Sequence, residues 1–214
     1  ATSKDLIHWD RYPDNPILVL DPEWYETLNL EHWHDQAWRD PWVFQHPESG
    51  DFHALITARV NHGPWDGRGV IAHAASTNLL DWEVRPPITE PGLFGHMEVP
   101  QLVEHNQVWY LLFSTPVSCF SRLAQEQGKP APQTGTYYLT SSSPLGPFTE
   151  HPPLPVLADK AGSFYSGKLI QTLDGEWKYI AVQMIQADGS FAGTLSDPYT
   201  VILDNHRITV SSVP

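Results

Sequence analysis

Ser76-Thr77-Asn78-Leu79-Leu80-Asp81-Trp82-Glu83 is the stretch on which the reading of the fold turns, because the chain contains it more than once. Ser3-Lys4-Asp5-Leu6-Ile7-His8-Trp9-Asp10 matches it position by position at a separation of 73 residues. A weaker copy 66 residues further on, Ser142-Ser143-Pro144-Leu145-Gly146-Pro147-Phe148-Thr149, keeps the serine, the leucine and the aromatic ring. Long repeats filled by several short strands point to the blades of a propeller. Trp9 and Trp82 recur at one place in the repeat and are expected in the core between blades.

Strands can be counted within each period. Period-two runs bounded by turn residues predict 40–45, 52–58, 69–75 and 82–85, then 100–104, 108–114, 135–140 and 148–149. The last unit supplies 166–172, 177–184, 191–195 and 200–203, with 208–211 left over. The expectation is an all-β chain of about three four-stranded blades plus one leading strand, with repeats near 37–88, 95–152 and 160–214 in a single domain. Propellers close with about four to eight blades, so this arc reads as an N-terminally incomplete ring whose open edges invite a second chain or another copy.

Connections divide by length. The links 20–38, 59–68 and 115–134 are the longest and fall on one face, where an inner strand begins and strands two and three join. Long loops on a rigid scaffold commonly serve binding. The links at 47–51, 104–107 and 173–176 are short polar hairpin turns on the other face.

Composition agrees. The 9 Trp, 8 Tyr and 8 Phe suit strands and sugar faces, while 20 Pro exclude long helices. Lys and Arg total 12 against 25 Asp and Glu, a net charge of −13 that disfavours nucleic acid and anionic membrane. Cys119 stands alone, so no intrachain disulfide can form, and with no obvious base beside it the thiol is expected to be inert. No apolar run reaches the roughly 20 residues that span a bilayer, and a cytoplasmic setting is the expectation.

Two strands begin with acids. Ala37-Trp38-Arg39-Asp40-Pro41-Trp42-Val43-Phe44 places a charged pair at the head of an apolar strand, and Glu98-Val99-Pro100-Gln101-Leu102-Val103 has a similar form. Proline is tolerated at the start of a strand, and buried carboxylates are rare unless paired or functional. Two strands each delivering one carboxylate to a shared hollow is the arrangement that glycoside hydrolysis uses.

The order of these motifs resembles glycoside hydrolase family 32, the five-bladed propeller enzymes that include invertases, levanases and inulinases. Arg39-Asp40-Pro41 is similar to the family's triplet of the same letters, and Glu98-Val99-Pro100 to its Glu-Cys-Pro motif with Val for Cys. Ser3 to Trp9, followed by Asn15-Pro16-Ile17-Leu18, resembles the segment preceding the Arg-Asp-Pro blade, and Phe164-Tyr165-Ser166 resembles Phe-Tyr-Ala of a later blade. The resemblance implies a β-fructofuranosidase acting on sucrose or fructans without a cofactor. Asp40 would stabilise the transition state, Arg39 would hold Asp40 ionised, and Glu98 would be the general acid/base, its proton retained among Phe94, Met97 and Val99. Tyr165 and some of Trp38, Asn61, His62, Trp65, Asp66 and Arg68 would line the pocket. The family's nucleophilic Asn-Asp-Pro-Asn motif occurs nowhere in the chain. A non-catalytic sugar-binding propeller and an arabinofuranosidase or xylosidase of a related family are the alternatives.

Plainer accounts exist for each site. Arg39 and Asp40 could be a structural ion pair, Glu98 a solvated residue before a strand, and Tyr165 a packing residue. His32 and His34 near Asp35, and His62 near Asp66, lack regular ligand spacing, so no metal is expected. Arg122 and Lys129 stand alone in their loop and make no basic patch.

Overall fold

The structure, a computed structural model, describes residues 1–128, 130–186 and 188–211, with side chains described for all of these but 149–152. Lys129 therefore lies outside the described residues, as does the side chain of Thr149. Three antiparallel sheets follow one another along the chain. The first runs β1 (Trp38–Gln45), β2 (Phe52–Arg59), β3 (Gly69–Ser76) and β4 (Glu83–Arg85) in sequence order. The second runs β5 (Glu98–His105), β6 (Val108–Thr115), β7 (Thr134–Ser141) and β8 (Thr149–Asp159) in the same way.

The third sheet differs from the expected count. β9 (Phe164–Gln171) pairs with β10 (Trp177–Ile185), whose other edge is shared by β11 (Phe191–Leu195) and β12 (Tyr199–Asp204). β13 (Arg207–Ser211) then pairs with β12 along its whole length. The left-over strand is therefore the blade's outer strand, and β11 and β12 are two pieces of the third. Asp197-Pro198 lies at the break, where proline has no N–H to offer a ladder.

Alternation explains the packing. In β2 and β3, Ala54, Ile56, Ala58, Val70, Ala72 and Ala74 face one way, joining Tyr25 and the half-buried Leu18, Leu20, Trp24 and Trp38. Leu55 and Ile71 face the other way, onto Leu111, Phe113, Tyr137 and Leu139 of the second blade. Tyr110, Leu112 and Tyr138 leave the opposite face of that blade and meet Leu169, Tyr179, Ala181, Val201 and Ile208 of the third. Central strands covered on both sides must be apolar at every position, which is why β2, β3, β6 and β7 read as nearly unbroken hydrophobic runs.

The expected leading strand is absent. Before Trp38 the described residues hold only the isolated bridges Thr2 to Asp10 and Tyr25 to Val60. Local side chains take the amides a ladder would need: Ser3 Oγ accepts from Asp5 and Leu6, and Asp5 Oδ1 accepts from Ile7 and His8. The repeat is nonetheless real, because Ser76 Oγ accepts from Asn78 and Leu79 and Asn78 Oδ1 accepts from Leu80 and Asp81. Leu6 and Leu79 share a left-handed φ of 61° and 66°, and the indoles of Trp9 and Trp82 donate back to Leu6 and Leu79 carbonyls. The repeated stretch is the turn between the third and fourth strands of a blade. Neither tryptophan lies in the core between blades: Trp82 packs half-buried with Leu18 and Leu20 on the face of the first blade turned away from the second, and Trp9 is 57% exposed.

Among the described residues no helix is long and apolar enough to cross a membrane. Among the described residues the one α-helix, α1 (Arg122–Gln127), is a short turn in the long loop of the second blade, capped by Ser121 Oγ accepting from Ala124.

Candidate active site

Each blade's inner strand has the same kink near its start. Arg39 pairs with Thr57 and Trp42 with Leu55, so Asp40 and Pro41 together oppose one residue. Glu98 pairs with Ser114 and Gln101 with Leu112, leaving Val99 and Pro100 in the same position. Tyr165 pairs with Val182 and Lys168 with Ile180, leaving Ser166 and Gly167. The extra residue of each bulge, Asp40, Val99 or Ser166, has φ of 56°, 46° or 54°. Non-glycine residues are uncommon in that region, and bulges gather at functional sites, where they re-aim side chains.

This register corrects the alignment of the acids. Pro41 corresponds to Pro100, so the structural counterpart of Glu98 is Arg39, and that of Asp40 is Val99. Arg39, Glu98 and Tyr165 occupy one position on three adjacent strands, and they touch. Arg39 Nη2 donates to Glu98 Oε1 at 2.6 Å, and the Tyr165 hydroxyl donates to Glu98 Oε2. The same guanidinium gives Nη1 to Asp35 Oδ2 at 2.8 Å and lies 3.8 Å from Asp40 Oδ2 through Nε. One cation thus bridges three carboxylates. Burial alone would lower the Arg39 pKa, but the hydrogen bond to Glu98 and the charges of Asp35, Glu98 and Asp40 raise it above its ordinary value.

Other groups complete the ring. Thr57 Oγ1 donates to Asp40 Oδ2 at 3.3 Å and accepts from the Val99 amide at 3.1 Å, tying the two bulges together. Lys168 Nζ donates to the carbonyls of Val99 and Pro100. Burial pushes the Lys168 pKa down to about 8, against the opposing pull of Asp40. Burial, and then the Glu98 charge, push the Tyr165 phenol far up, so it stays a donor. The surroundings of Glu98 are accordingly polar. Phe94 and Met97, expected to shelter its proton, are instead buried in the core between the first two blades.

Beyond Glu98 lies an aromatic wall. His96 Nδ1 is 3.6 Å from Glu98 Oε1, its Nε2 accepts from the Trp33 indole at 2.8 Å, and Trp33 packs 6.0 Å from Trp65. Burial pushes the His96 pKa down to about 4. Trp33 also carries the Arg59 guanidinium over its ring at 3.9 Å. Arg59, 1% exposed, pairs with Glu26 at 2.7 Å, and Arg68 takes the other Glu26 oxygen at 2.6 Å. Arg59 also donates to the carbonyls of Gly95 and Trp65, so three chain segments at the mouth are fastened to one buried group.

Of the residues expected at the site, Arg39, Asp40, Glu98 and Tyr165 come together, and the exposed Trp65 borders the mouth. Trp38 does not line it: its ring packs on Tyr25 and its indole donates to Leu18. Asn61 holds the carbonyls of Pro22 and Glu23, with His62 against it. Arg68 is spent on Glu26, and Asp66 accepts from the Arg122 amide in the neighbouring loop. Cys119 is buried, and burial pushes its thiol up to about 11, in keeping with an inert role. Asp35, Thr57, His96 and Lys168 were not singled out for the site. The first three could have been suspected from their nearness to the two motifs in sequence or pairing, whereas nothing local marks Lys168.

An arc of four-stranded blades with inner strands converging on acids is the architecture of the family 32 propellers, and the fold is of that kind. No protein-family model matches the chain, and no curated protein matches it. Solved structures do. Inulosucrase from Halalkalicoccus jeotgali, bound to kestose, has TM-score 0.72 at 23% identity, covering 91% of this chain and 54% of the other. A Bombyx mori family 32 β-fructofuranosidase has TM-score 0.65 at 22% identity over 99% of this chain and 42% of its own. The β-fructofuranosidase catalytic domain of Microbacterium saccharophilum has TM-score 0.69 at 16% identity over 91% and 50%. The chain thus spans about half the length of the structures it matches.

Proposed function

We propose that the chain carries the acid/base and stabilising half of a β-fructofuranosidase-type site for sucrose or fructans. The observation behind this reading is the Arg39 bridge, which brings Glu98, Asp40 and the Tyr165 partner of Glu98 within one guanidinium of each other. In the proposed roles Glu98 moves the proton at the glycosidic oxygen, Asp40 holds the sugar's hydroxyls as positive charge grows on the ring, and Arg39 fixes both. Glu98 accepts from two donors here, the hydrogen bonding of the carboxylate form that draws a proton from water in the second half of a double displacement. The Asn-Asp-Pro-Asn motif that would carry the nucleophile of such a reaction occurs nowhere in the chain, so the reading covers the acid/base and stabilising roles alone.

Binding separates this reading from its rivals before turnover is considered. Titration with fructose, arabinose and xylose followed by NMR should give a fructose preference that Asp40→Asn removes. A preference for arabinose or xylose would move the site to the related furanosidases and xylosidases. Fructose binding with sucrose left intact, unchanged by Glu98→Gln, would make it a sugar-binding propeller, and binding that ignores both substitutions would end the proposal. Sucrose cleavage lost in Glu98→Gln would support the acid/base role.

A further inference from the structure

Beside the Arg39 bridge, the proposed chemistry leaves three side chains unused: His34, Asp35 and His96. His34 and Asp35 come from the long loop before β1, and His96 from the segment before β5. Their possible ligand atoms all lie within 4.8 Å of one another. Asp35 Oδ1 is 3.3 Å from His96 Nε2 and 3.8 Å from His34 Nε2. Ligands held at roughly 2.1 Å around a tetrahedral ion sit about 3.4 Å apart, close to the two spacings from Asp35. We infer that His34, Asp35 and His96 form a binding site for one divalent ion of the zinc class, with a fourth position open to water.

Three observations support the site. Asp35 Oδ1 is buried and has no hydrogen-bond partner, a state that is unfavourable for a carboxylate oxygen unless something positive arrives. Its other oxygen is fixed by Arg39, and the second nitrogen of His96 faces the Glu98 carboxylate at 3.6 Å, so both ligands have the outer partners that orient metal ligands. Two imidazoles and one carboxylate form a donor set suited to zinc or cobalt and unsuited to calcium or magnesium.

One contact opposes the ion. The Trp33 indole N–H now occupies the His96 Nε2 lone pair at 2.8 Å, and an ion would displace it. The sequence carries no expectation of a metal, and His32, the other histidine of that loop, takes no part: it is exposed and its ring nitrogen lies against Asn29.

Cobalt titration of the full chain, read by visible absorption and by tryptophan fluorescence, tests the site. One cobalt should bind per chain, zinc should displace it, and the fluorescence should change as Trp33 is released. His34→Ala and Asp35→Asn should each weaken binding about tenfold or more, by analogy with the sensitivity of metal sites to their oriented partners. Trp33→Phe, which keeps a ring under Arg59 but removes the competing donor, should tighten it. His34 is exposed, so its loss leaves folding intact and circular dichroism will confirm this. Absence of a saturable one-to-one complex, binding unmoved by both His34→Ala and Asp35→Asn, or binding that vanishes with His62→Ala instead would each overturn the inference.

Discussion

The inner strands of the first two blades make the same bulge from different residues, Arg39-Asp40-Pro41 in one and Glu98-Val99-Pro100 in the other. In the first, the left-handed residue is a carboxylate, Asp40, held by Thr57 and Arg39. In the second it is a β-branched valine, among the residues least suited to φ near 46°. The acid of the second blade, Glu98, sits one residue earlier, at the place Arg39 takes in the first. The kink is therefore the repeated unit, and each blade fills its two positions differently.

Removing the shared cation should break the comparison most severely. Arg39→Ala leaves Asp35, Asp40 and Glu98 facing one another, and since Arg39 is a third exposed the loss should be about 2 to 2.5 kcal/mol, below the roughly 3 to 5 kcal/mol of a fully buried pair. Urea unfolding measures it, and a loss under about 0.5 kcal/mol, the size of an exposed surface pair, would show that the three acids do not depend on the bridge. Fructose binding should disappear in the same variant.

The third blade offers the next test, because glycine stands there where the others have proline. A Cβ on Gly167 would lie 1.9 Å from the Tyr179 hydroxyl oxygen, so Gly167→Ala should cost about 2 kcal/mol or more. Tyr179→Phe in the same chain should recover part of it. An alanine variant as stable as the parent would mean that β9 does not approach β10 so closely.

A smaller effect concerns pH. Lys168 supports the second bulge from beneath, and its folded pKa of about 8 is below the ordinary lysine value of 10.5. Between those values the unfolded chain binds the proton and the folded chain releases it, so stability rises with pH through the window and the charged form below it is the less favourable one. The rise should be about 1 to 2 kcal/mol once partial exposure is allowed for, and Lys168→Met should flatten that part of the curve. An unaltered slope in the variant would assign the rise to other groups.

Val99→Asn should have the smallest effect and the opposite sign. Asparagine tolerates the left-handed region that valine resists, so a gain of about 1 kcal/mol, a few degrees in Tm, is expected. A loss would mean that the valine's packing outweighs its backbone.

Much of the architecture was legible because it is periodic. The runs at 52–58 and 108–114 had to be strands once turns bounded them, and the serine-leucine-tryptophan turn located the blades. Asp40 and Glu98 were legible as acids beside prolines at strand heads. Their register was not, since a one-residue bulge is invisible to alternation and only the pairing partners Thr57 and Ser114 reveal it. His96 and Lys168 escaped for a related reason: each meets the site through a partner that only folding brings near. Asn61 and Arg68 in a loop and Trp38 at the head of β1 looked like pocket lining because polar and aromatic side chains on a binding face serve two purposes. Here they hold that face together.

Burying Arg59 between Glu26, the Gly95 and Trp65 carbonyls and the Trp33 ring turns three loops into one stiff collar. A single group that fastens three loops makes their mobility a shared property, so whatever loosens one of them loosens the others.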